Sequence, residues 1–188
     1  APGIRAGNWI FATAHAGTAD FSSGISTEVV RAELPDWTET RHRREARQIF
    51  RNLSTVLEAG GGSITGVVRI DQHYTTHKAI EPYHDIRREV LKSHIPPSTS
   101  TLADGLLFAD QDMEVHAIGV AAETGLALKK INSTEQDVHP SSGYSLALAA
   151  GDYIFVAGRI ADSLVFGQGI PPEARLPAGY LWKGNPVK

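Results

Sequence analysis

The sequence predicts an α+β fold: one complete ββαβαββ domain followed by the opening strands of a second copy. Three observations lead there. Ala6-Gly7-Asn8-Trp9-Ile10-Phe11 returns 144 residues later as Ala150-Gly151-Asp152-Tyr153-Ile154-Phe155, with aromatic matched to aromatic and the Ile-Phe pair kept. Two segments of the first copy carry apolar residues at helical spacing, and short β-prone runs bounded by turn residues surround them. The chain has 188 residues, enough for one domain of common size and part of another.

The elements follow in order. Trp9 to Ala14 is expected as a strand, and Gly24 to Val30 as a second, short one after the turn-like Asp20-Phe21-Ser22-Ser23-Gly24. From about Thr40 to Ala59 the period changes: Ala46, Ile49, Phe50, Leu53, Val56 and Leu57 fall on one helical face, and Arg44, Glu45, Arg47, Arg51 and Asn52 take much of the other. Gly60-Gly61-Gly62 ends this helix, because glycine adopts a left-handed cap without penalty. Gly66 to Tyr74 is a strand and Ala79 to about His94 a second helix, stopped by Pro96-Pro97. Strands around Thr99 to Phe108 and Met113 to Ala121 complete a sheet with two helices on one face.

The boundaries that result are a complete domain over 1–124, a polar linker over 125–142, and the first strands of a second domain over 143–188. Adding the repeat offset to the start of the long helix leads almost to Lys188, so the second copy has strands and neither helix. A sheet lacking its covering helices leaves apolar surface in water at about 25 cal/mol per Å². The second copy is therefore expected to be completed by a further segment or by a separate chain.

Composition narrows the function. An apolar fraction of 41% and a charged fraction of 21% are those of an ordinary soluble globular protein. A net charge of −3 offers no basic field for a polyanion, which argues against a nucleic-acid partner. Without cysteine there is no disulfide, thiolate nucleophile or sulfur-ligated metal. No run reaches the roughly 18 apolar residues of a membrane span. A cytoplasmic location with no membrane partner is the expectation.

Metal and phosphate sites find no support. His73 and His77 would span about 13 Å on a strand, too far to share an ion. His84 and His94, ten positions apart on the second helix, do not share a face closely enough to chelate. The Gly60 run closes a helix instead of opening one, the reverse of a phosphate loop. No metal and no cofactor is expected.

Longer motifs carry a family resemblance. Phe50-Arg51-Asn52-Leu53 with Val56-Leu57-Glu58-Ala59-Gly60 resembles the helix signature of the RidA/YjgF/UK114 family, the reactive-intermediate deaminases also called endoribonuclease L-PSP-like proteins. Gly66-Val67-Val68-Arg69 resembles the strand that follows it. Pro96-Pro97-Ser98-Thr99 sits where the family has Pro-Ala-Arg-Ser, and Met113-Glu114-Val115-His116-Ala117-Ile118 where it has Val-Glu-Ile-Glu-Ala-Ile. Gly143-Tyr144-Ser145 with Phe155-Val156-Ala157-Gly158 resembles the family's opening. The resemblance implies a chorismate mutase-like ββαβαββ domain, trimer-like assembly, and small-molecule pockets in clefts between neighbouring domains.

It also implies site residues, two of them altered. The family's carboxylate-binding Arg is Ser98 here, and a hydroxyl cannot neutralise an anion. The Glu thought to handle protons is His116, which can serve as acid or base near neutral pH. Ser98 and Thr99 begin a hydroxyl-rich edge able to line a pocket or to cap strand ends, and Tyr144 and Ser145 match residues that form the cleft from a neighbouring domain.

The leading expectation is a hydrolase of a C–N bond, of an enamine, imine or amide-like substrate, in an interdomain cleft with His116 moving protons. One alternative is a non-catalytic small-molecule binding module, suggested by Ser98. Another is a self-processed hydrolase whose second chain begins after Lys188.

Overall fold

The computed structural model describes residues 1–21, 24–30, 39–131 and 143–158. The later part of the expected linker, 132–142, and the chain from 159 onward lie outside these described residues. The first copy runs β1 (Gly3–Ala6), β2 (Trp9–His15), α1 (Arg41–Ala59), β3 (Val67–Tyr74), α2 (Ile80–Leu91), β4 (Ser98–Leu102) and β5 (Met113–Val120). These strands form a five-stranded sheet in the order β1-β2-β5-β3-β4. Its pairs are antiparallel except β3 with β4, which run parallel across the α2 connection.

The ββαβαββ order is as expected, but its first hairpin is not. The expected strand at Gly24 to Val30 is a turn instead: Ser26 accepts backbone bonds from Val29 and Val30, and its hydroxyl accepts the Glu28 N–H. A single bridge, Thr18 to Ile25, is all the ladder this segment makes among the described residues. The strand that pairs with β2 is β1, joined through a two-residue turn in which Gly7 has φ +59°. A positive φ at the first turn position alone is the hairpin geometry that glycine favours. The other differences lie at element ends. β4 stops at Leu102 ahead of Asp104-Gly105, and α2 stops at Leu91, where Lys92 takes a left-handed φ of 52°.

Helix α1 starts at an N-cap in which the Thr40 side chain accepts the Arg43 N–H. Its apolar face and that of α2 cover one face of the sheet, burying Ile49, Phe50, Leu53, Leu57, Tyr83 and Ile86 against Ile10, Ile70, Tyr74 and Val115. Gly119 on β5 allows the close approach, since a Cβ there would come within 2.7 Å of the Leu57 side chain.

A three-stranded sheet of β6 (Leu128–Ile131), β7 (Ala147–Ala150) and β8 (Tyr153–Val156) packs on the opposite face. Leu148, Ala150 and Phe155 meet Val68, Val120 and Trp9 in a second apolar cluster. β7 and β8 repeat β1 and β2 at the same offset, including a two-residue turn with Gly151 at φ +57°. β6 lies inside the stretch expected as an irregular connection, so this part of the connection adds a strand to the second hairpin.

Candidate functional site

Two-residue periodicity builds the site. On β3, Ile70, Gln72 and Tyr74 turn toward the helices, which leaves Arg69, Asp71 and His73 on the other face. The ladders set Asp71 opposite Thr99 and His116, and His73 opposite Thr101 and Glu114. The result is a cleft of about 450 Å³ in the outer face of the sheet, with Arg69, Asp71, His73, Thr99, Thr101 and His116 as polar lining and Phe11, Ala117 and Ile118 as apolar lining.

The polar groups hold one another. Arg69 donates from Nε to Asp71 Oδ2 at 3.1 Å, and its Nη2 lies 2.6 Å from Asp71 Oδ1. The same guanidinium donates to the Thr99 hydroxyl and to the Val156 carbonyl of β8. His116 Nε2 lies 3.0 Å from Glu114 Oε1, and His73 Nδ1 lies 2.5 Å from the Thr101 hydroxyl. The two imidazoles meet edge to face with centroids 5.4 Å apart.

Of the residues proposed from sequence, His116 and Thr99 line this cleft. Ser98 does not: it is 7% exposed, and its hydroxyl accepts from the buried Arg87 guanidinium at 3.4 Å. Ser145 donates from both its N–H and its hydroxyl to the Ile95 carbonyl, at 3.1 and 2.8 Å, and Tyr144 packs against the main core. These two residues therefore fix the second copy beside the entry to β4, and Gly158 N–H completes the attachment on the Ser98 carbonyl at 3.0 Å. The second copy reaches the cleft itself through the Val156 carbonyl.

Arg69, Asp71, His73 and Glu114 were missed by the sequence reading. Their signal was present as polar residues at alternate positions of two strands whose helix-facing positions, Gln72 apart, are apolar or aromatic. His73 lies on β3 as expected, and His77 opens a 3-10 turn before α2.

No sequence-family model matches the chain, and no curated protein matches it. The likeness is structural. RidA from an Antarctic Psychrobacter species aligns with a TM-score of 0.52 and 18% identity, covering 63% of this chain and 85% of that one. The E. coli yjgF gene product gives a TM-score of 0.51 at 17% identity, with 63% and 85% covered. E. coli TdcF, solved with bound serine, gives 0.51 at 16%, again with 63% and 85% covered. By architecture and by these likenesses, the chain carries the RidA/YjgF fold.

Proposed function

We propose that the chain forms a hydrolase of a C–N bond, of the enamine or imine deaminase type, acting on a small molecule in the cleft of β3, β4 and β5. The observation that carries this reading is His116 on the cleft wall, hydrogen bonded to Glu114 at 3.0 Å. A carboxylate on Nε2 fixes the tautomer and the ring orientation, so proton exchange with substrate runs through Nδ1. Water adds to the carbon of the protonated imine as His116 takes one water proton, which leaves a neutral carbinolamine. His116 then returns that proton to the nitrogen; as the C–N bond breaks, the carbinolamine hydroxyl gives its proton back to His116, and a ketone and ammonia depart. An enamine enters the same path after protonation at carbon.

The second copy is proposed to be completed by a following segment or a separate chain that supplies its two covering helices and remaining strands, in a trimer-like arrangement of domains. Ile154, equivalent to Ile10, supports this. Ile10 is 1% exposed beneath α1, whereas Ile154 is 63% exposed. For location, no helix among the described residues is long and apolar enough to cross a membrane; the cytoplasm remains the proposal.

The experiment is ammonia release by the intact protein across enamine, imine and amide panels, with His116→Asn as control. Saturable binding without ammonia would instead support a non-catalytic binding module, which the burial of Ser98 away from the cleft favours.

A further inference from the structure

The guanidinium in the cleft wall is already occupied. A guanidinium holds its N–H groups in one plane and grips a carboxylate through two parallel donors. The Nε and Nη2 edge of Arg69 holds Asp71 in this way, at 3.1 and 2.6 Å, while Nη2 also serves Thr99 and Nη1 serves the Val156 carbonyl. An incoming carboxylate would have to displace Asp71 from its partner and leave that anion facing it across the same wall.

The remaining charge points the same way. Arg69 and Asp71 cancel, and the Glu114 carboxylate behind His116 adds negative charge beside the wall. Phe11 and Ile118 supply apolar surface, while His73, Thr101 and the Asp71 carboxylate supply hydrogen-bonding groups. We propose that the cleft selects an uncharged or cationic planar C–N group, an amide, amidine or iminium on an apolar body, and discriminates against carboxylates. The proposal rests on reading this cleft as the reacting site.

Three isosteric probes test it on the full-length chain: benzamide, benzamidine and benzoate, titrated while the ring resonances of His73 and His116 are followed by NMR. The expected result is that benzamide or benzamidine shifts both rings, with benzoate binding at least about tenfold more weakly. Asp71→Asn, which frees Arg69 from its counter-charge, is expected to narrow that ratio. Benzoate binding as tightly as the other two overturns the proposal, as does the absence of any ring shift with all three. Ammonia release is read separately. Charge preference without ammonia removes the hydrolase and leaves the ligand class standing, whereas ammonia release with benzoate bound equally removes the ligand class alone.

Discussion

Trp9 and Tyr153 hold the same position in the two copies of the repeat, and in the folded chain their rings meet edge to face, with centroids 5.3 Å apart. Phe155 joins them at 5.5 Å from Trp9. Edge-to-face pairs at this spacing contribute roughly 0.5–1.5 kcal/mol beyond the area they bury. The repeat is thus also an interface, in which matched hairpin ends secure the second copy to the first.

Trp9→Ala should cost about 2 kcal/mol, below the range for a fully buried Trp because Trp9 is only partly covered. The double-mutant cycle with Tyr153→Ala, measured by urea unfolding, is expected to give a coupling of roughly 0.5–1 kcal/mol. Simple additivity would show that the contact does not bind the copies together.

Asn52 is the structural centre of the helix signature. From the buried face of α1 its Nδ2 donates to the carbonyls of Ala16 and Thr18, at 3.0 and 2.9 Å, and so ties down the segment after β2. Asn52→Ala leaves two carbonyls without this donor and should cost about 2–3 kcal/mol. Asn52→Asp, which cannot donate when ionised, should cost at least as much at pH 7. Unfolding midpoints within experimental error of the wild type would remove this role.

What could be read from the sequence depended on how much of each signal was local. α1 announced itself through Ala46, Ile49, Phe50, Leu53 and Leu57, because a long helix repeats its period many times. β1 did not, since a four-residue strand with Ile4 largely exposed has almost no pattern to read. Gly24 to Val30 misled because Val29 and Val30 are strand-formers by propensity, whereas Ser26 satisfies the backbone there locally. His116 was found through a motif. Arg69 and Asp71 were not, because their significance arises only when β3 is laid beside β4 and β5.

Glu45 gives a pH test with a definite sign. Burial pushes its carboxyl from 4.5 up to about 7, against the Asp112 and Met113 N–H groups that its Oε1 accepts. Between those values the folded state holds a proton that the unfolded state releases. The stabilisation is therefore complete below about pH 4.5 and is lost as the pH rises through about 7. His15 works in the opposite sense: burial lowers its pKa, so stability falls as the pH drops below 6.5, where the unfolded chain takes up the proton first. Comparing Glu45→Gln with the wild type at each pH cancels the His15 contribution. The variant should be more stable by about 1–3 kcal/mol at pH 8, with the gain vanishing near pH 4.5. An equal difference at both values would show that the carboxyl does not titrate as described.

His116 and Glu114 separate chemistry from structure. The His116 side chain is 38% exposed, so His116→Asn should change stability by no more than about 0.5 kcal/mol. If its imidazole moves the protons of C–N hydrolysis, the same substitution should lower kcat by about 10²- to 10⁴-fold. Glu114 acts through His116 and is a positioning residue. Glu114→Gln should lower kcat by about tenfold with little change in KM, since substrate does not touch it, and should leave the unfolding midpoint unmoved. A loss confined to KM would place Glu114 in substrate binding. A fall in stability matching the fall in activity would make the pair structural, and His116 would then have to give up its role as the proton carrier.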